Sequence, residues 1–195
     1  MKVNYPKTNF MLFNPTVNYY FELKYEVENG EIETVEQIKI LGIVIRNDLS
    51  WKSNTQEMTE KAYKKLWMIR RLILNGASLV DLTDVYVKQI RSVLEYGVPV
   101  WNSNLTKEDQ ADIERVQKCF MHMVLADKYT NYEDALDKVE LETLESRRTL
   151  LCLNFAKKAS KHPKHSMWFV EARSTALRPV IRQVLRRVLN PQSVD

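Results

Sequence analysis

The chain has 195 residues, 45% hydrophobic and 28% charged, with four glycines and a formal net charge of +4. This is ordinary globular composition, enough for one sizeable core. No apolar run approaches the ~20 residues that span a bilayer, the N-terminus lacks the apolar stretch of a signal peptide, and neither GxGxxG nor GxxxxGK[ST] occurs.

Residues 1–50 read as β. FMLF (Phe10 to Phe13) is a short strand ended by Asn14-Pro15. Phe21, Leu23, Tyr25 and Val27 then alternate with Glu22, Lys24, Glu26 and Glu28, a period of two with one buried face. Asn29-Gly30 is the preferred dipeptide of a two-residue hairpin turn, and Ile32 opens the return strand. Ile38 to Ile45 is apolar on both faces, which predicts a strand covered on both sides.

From Trp51 the period becomes helical. Met58, Ala62, Leu66, Ile69 and Ile73 form one stripe. Asn54 with Glu57 predicts a capping box, and Gly76 a stop. A second helix starts near Ser78, with Asp81 at its third position, and ends around Gly97-Val98-Pro99. A third opens at Thr106 with Asp109, a short one at Asn131, and a long one spans roughly 143–160 before Pro163, with Leu144, Leu151 and Phe155 inward. In the tail, Ile181, Val184 and Val188 suit a short helix, with Arg178, Arg182, Arg186 and Arg187 opposite. Three regions result: a β part at 1–50, a helical part at 51–162 and a basic tail at 163–195. The fold class is α+β, with a small antiparallel sheet ahead of a mainly helical bundle.

Few residues suggest chemistry. Cys119 and Cys152 sit in apolar helical patterns and read as buried free thiols of a reducing, intracellular compartment. Cys119 and His122 share a helix, but they flank a buried stripe and read as core. Pro163 separates His162 from His165 and argues against a metal pair. The acidic pairs Glu108-Asp109 and Glu133-Asp134 fall in first turns, where they offset the helix dipole. Trp67 and Trp101 read as packing. Charge is uneven: residues 151–195 carry nine cations and two anions, and residues 101–150 are net acidic. Lys61, Lys64, Lys65, Arg70 and Arg71 project from the first long helix, opposite or beside its apolar stripe. They fit two readings, a ridge that contacts phosphates and a solvated face.

A longer pattern joins these pieces. IKILGIVIRNDLSW (Ile38 to Trp51) followed by a Lys-rich helix resembles the segment after the palm of non-LTR retrotransposon reverse transcriptases of the jockey-like kind. NYPKTNFMLF, with Asn4, Lys7 and Thr8, resembles that family's N-x-x-K-T followed by a strand. IRSVLEYGVPVW (Ile90 to Trp101), IERVQKCFMHMV (Ile113 to Val124), LETLESRRTLLCLNFAKK (Leu141 to Lys158) and VLRRVLN are similar to its later helices, in the same order. The resemblance covers nearly the whole chain.

The resemblance implies specific roles. Lys7 and Thr8 would be a remnant of the nucleotide site. Leu41 and Gly42 would lie in a primer-grip strand, buried between palm and thumb, with Trp51 anchoring the turn after it. The helices from Asn54 would form a thumb holding an RNA–DNA template–primer duplex, with Lys61, Lys64, Lys65, Arg70 and Arg71 on its phosphates. The family's catalytic aspartates lie upstream of N-x-x-K-T. The expectation is therefore a binding fragment with no catalytic residue, no metal site and no cofactor of its own, since Mg²⁺ belongs to the complete polymerase. The alternative is a helical fragment that acts only as a protein-interaction module or self-associates through exposed strand edges.

Overall fold

A computed structural model describes residues 8–13, 25–27 and 30–166. Lys7, Asn29 and the proposed tail helix lie outside these residues. The fold is α+β, as expected. β1 (Asn9–Phe10) pairs in parallel with β3 (Gly30–Thr34), and β2 (Tyr25–Val27) pairs with β3 antiparallel, so the sheet is mixed. Gly30 is the partner of Val27 and thus belongs to the strand, not to the turn expected at Asn29-Gly30.

The run Ile38 to Ile45 is not one buried strand. It is a hairpin of β4 (Gln37–Ile40) and β5 (Ile43–Arg46), with Ile38 opposite Ile45 and Ile40 opposite Ile43. Leu41 and Gly42 form its turn, at φ 48° and 85°. Two consecutive positive φ values fit a two-residue turn that matches strand twist, and Gly42 meets this at little cost. Val44 is buried, Ile38, Ile43 and Ile45 are half-buried, and Leu41 is 85% exposed.

The helices follow: α1 (Lys52–Leu74), α2 (Leu79–Val85), one π turn (Tyr86–Arg91), α3 (Ser92–Leu94), α4 (Val98–Trp101), α5 (Lys107–Leu125), α6 (Tyr132–Val139) and α7 (Leu144–Lys161). Four starts fall where the sequence places them, because a short oxygen side chain takes the free amide three residues on. Ser78, Thr106, Asn131 and Thr143 each accept from the third residue after them, and Thr106 with Asp109 completes a capping box.

α1 departs from that rule. Asn54 sits inside the first turn, and its Oδ1 accepts from the Val44 amide at 3.2 Å in a buried contact. The turn before α1 is capped otherwise: Asp48 accepts from the Ser50 amide at 2.9 Å, and Ser50 Oγ from the Lys52 amide at 3.3 Å. Asn54 is thereby free to tie the hairpin to the bundle. Trp51 is half-buried against the core, and its carbonyl accepts from the Thr55 amide at 2.8 Å.

The core lies between α1, α5 and the α2–α3 segment. Ala62, Leu66 and Ile69 meet Tyr86, Ile90, Val116 and Phe120, with the Tyr86 and Phe120 rings stacked at 4.1 Å. Trp101 is fully buried and donates to the Tyr96 carbonyl at 2.9 Å, as its packing role requires. Gly97 turns the chain at φ 67° beneath the hairpin, where an added Cβ would lie 2.6 Å from Ile43 Cδ1. Phe155 does not face inward as its spacing predicts. It is 52% exposed, although Leu144 on the same helix is buried. Among the described residues no helix is long and apolar enough to cross a membrane.

Replacing Asn54 with Ala strands the Val44 amide in a buried site. The expected loss is about 1–3 kcal/mol, read as a lower urea midpoint. Asn54→Asp keeps an acceptor at that position and loses less.

Candidate nucleic-acid interface

α1 is two-sided. Residues near 3.6-residue spacing recur on one face, so burying Met58, Ala62, Leu66 and Ile69 leaves Lys64, Trp67 and Arg71 on the opposite one. The five basic residues singled out from the sequence do not act as one ridge. Lys61 is held by Glu57, one turn earlier, and Glu57 also receives Lys39 from β4. The two ammonium groups, Lys39 first, pull the Glu57 carboxyl below its usual range, and Glu57 in turn raises Lys39. Lys65 reaches across to the π turn and donates to the Gln89 carbonyl at 2.9 Å. A π turn widens the helical hydrogen-bond pattern and exposes carbonyls to outside donors. Lys61 is thus engaged within α1, while Glu57, through Lys39, and Lys65, through Gln89, hold the helix to its neighbours.

Lys64, Arg70 and Arg71 are different. All three are exposed, and none forms an ion pair with a described residue. The Arg71 guanidinium lies over the Trp67 ring, 5.0 Å from its centroid. Trp67 itself is 63% exposed, contrary to its reading as packing. Helical spacing carries the signal for this. Two residues from buried Ile69, Trp67 is turned away by roughly 160° at ~100° per residue. Tyr63, one turn before Trp67, is also exposed.

Leu41 and Gly42 occupy a different place. Their turn closes one side of a groove of about 300 Å³, bordered by Asn54, Glu57, Lys61, Ser92 and Tyr96. Tyr96 donates its hydroxyl to the Leu41 carbonyl at 2.8 Å and pins the turn over α3. A buried strand is therefore replaced by an exposed turn, clamped on the helical bundle. Thr8 is half-buried in the segment just ahead of β1.

The remaining polar clusters are structural in form. Gln117 is fully buried; it accepts from the Tyr86 hydroxyl at 2.9 Å and donates to Tyr132 Oη at 3.0 Å and to the Glu142 carbonyl at 2.9 Å. Tyr132 donates to Glu114, whose Oε1 also accepts from the Leu144 amide at 3.0 Å. Desolvation first and Glu114 second push the Tyr132 hydroxyl far above its ordinary value. His122 is exposed and stacks on Tyr129 at 3.6 Å, so it forms no pair with Cys119. Among the described residues no group of three His, Cys, Asp or Glu side chains could hold a metal ion.

No family model, curated protein or solved structure matches the chain.

Cys119 and Cys152 are free and half-buried, and burial pushes both thiols above the ordinary value. The thiolate is the reactive form. Alkylation by iodoacetamide near neutral pH should therefore be slower than that of free cysteine. Unfolding in urea should bring the rate up to the free value.

Proposed function

We propose that this chain is a nucleic-acid-binding module that grips the phosphate backbone of an RNA–DNA template–primer duplex through the outer face of α1. Binding, with little sequence preference, is the whole of the assigned activity. One observation carries the reading. Several cations elsewhere on the bundle pair with nearby carboxylates: Lys88 with Asp84, Arg115 with Asp112, Lys138 with Asp134 and Arg147 with Glu95. Others, such as Lys107, Lys128, Lys157 and Lys158, form no ion pair with a described residue; on α1 three such cations share one helix. Lys64, Arg70 and Arg71 lack such a match among the described residues. Uncompensated cations on one rigid helix suit a polyanion, whose counterions they release. The resemblance of the chain to a reverse-transcriptase thumb supports the same reading and suggests the duplex as ligand. An intracellular location accords with it.

The working cations in this proposal are Lys64, Arg70 and Arg71. Lys61 and Lys65 are engaged by Glu57 and Gln89. A second reading rests on Leu74 and Val80, 79% and 77% exposed at the corner between α1 and α2. Such side chains suit self-association, which sedimentation across a concentration series would reveal.

Lys64→Ala combined with Arg70→Ala should weaken binding to every primer–template sequence alike. The slope of log affinity against log salt should become shallower by roughly one for each phosphate no longer neutralised. Unchanged affinity and slope would remove α1 from the interface.

A further inference from the structure

We propose that Trp67 is a stacking platform for an unpaired base, so that the module prefers a nucleic acid with a single-stranded segment beside its duplex. The inference rests on the nucleic-acid reading above and names the form of ligand.

The exposure of Trp67 sets the problem. Trp67 leaves a large flat ring in water on the middle turn of a rigid helix, where stacking against a flat partner would take it out of water. Arg71 lies over the ring at 5.0 Å. The pair restrains the indole and limits the freedom it would lose on binding. The surroundings select the partner. Lys64, Arg70 and Arg71 lie within about one turn of Trp67 on α1, and none of them forms an ion pair with a described residue. An apolar protein surface docking on Trp67 would have to strip water from these cations without replacing it. A nucleotide satisfies both halves, because its base offers a flat π-face and its phosphate an anion.

Duplex geometry then decides which nucleotide. Paired bases are stacked on one another and present only their edges in the grooves. A helix-borne indole can reach a π-face only where a base is unpaired. Cations on the same helix can still hold the phosphates on either side of that base. Tyr63, exposed one turn away, offers a second ring to the same strand.

The test measures fluorescence anisotropy of the full chain with two labelled RNA–DNA duplexes. One has both ends closed by a flexible linker; the other carries a single-stranded extension. The wild-type chain should bind the extended duplex about tenfold more tightly, in line with the stacking contribution of one base. Trp67→Leu should abolish that preference, while Trp67→Phe, which keeps a ring, should preserve most of it. The extended duplex should also quench wild-type tryptophan emission more than the closed one. That readout stands even if a variant proves unstable.

Equal affinity of the wild-type chain for both duplexes overturns the stacking role and leaves the backbone grip intact. A preference that survives in Trp67→Leu does the same. Binding to neither duplex overturns both proposals together. Loss of self-association in Trp67→Leu, with nucleic-acid binding unchanged, would make this face an interface between copies and also overturn the role.

Discussion

The architecture depends on the burial of one amide. Gln117 has no exposed surface, and both ends of its side chain are used: Tyr86 donates to its oxygen, and its nitrogen donates to Tyr132 and the Glu142 carbonyl. An unsatisfied polar group at this depth costs far more than a hydrogen bond usually contributes. The π turn, α5, α6 and the entry to α7 can therefore meet in only one register. Widening the helix at Tyr86–Arg91 is part of the same arrangement. It belongs to the segment that stacks Tyr86 on Phe120 and extends its hydroxyl to Gln117.

Once α5 and the π turn are placed, α1 has little choice. Its small and branched stripe packs against them, and Lys65 docks on Gln89. The hairpin follows through Val44 and Asn54, Tyr96 and Leu41, and the close approach of Ile43 to Gly97. The opposite face of α1 is then held outward by everything behind it. A rigid element that carries unmatched cations and an exposed indole is a better binding surface than the same residues on a loop, because less freedom is lost on contact.

Much of the candidate surface is legible in the chain, though not its division of labour. Lys61, Lys64, Lys65, Arg70 and Arg71 are all on the helix that the period assigns them to. The pairing of Lys61 with Glu57 follows from their i,i+4 spacing, but spacing alone does not say that Gln89 claims Lys65, since that contact joins separate elements. Trp67 reads as packing because it adjoins Leu66, yet angular position on the helix, not adjacency, decides burial. Phe155 shows the converse: it shares the buried stripe of α7 with Leu144, yet stays half in water. Periodicity states which face is apolar; it does not state how far the neighbouring elements extend to cover it.

Four of the helix starts, the change from period two to period 3.6 and the α+β class are properties of the amino-acid order alone. They depend on interactions within a few residues: a cap oxygen and the amide three positions on, or an apolar stripe and its own turn. Packing, in contrast, is what folds Ile38 to Ile45 back on itself at Leu41-Gly42 and gives Asn54 to the hairpin instead of to the cap of α1. Packing also engages Lys65 of α1, through the Gln89 carbonyl. The competing partners in these cases lie 10 to 55 residues apart, as with Val44 and Asn54 or Leu41 and Tyr96. Local propensity cannot choose between them, because the partners meet only once the helices have packed, and for Val44 the choice is made by the cost of leaving a buried amide unsatisfied.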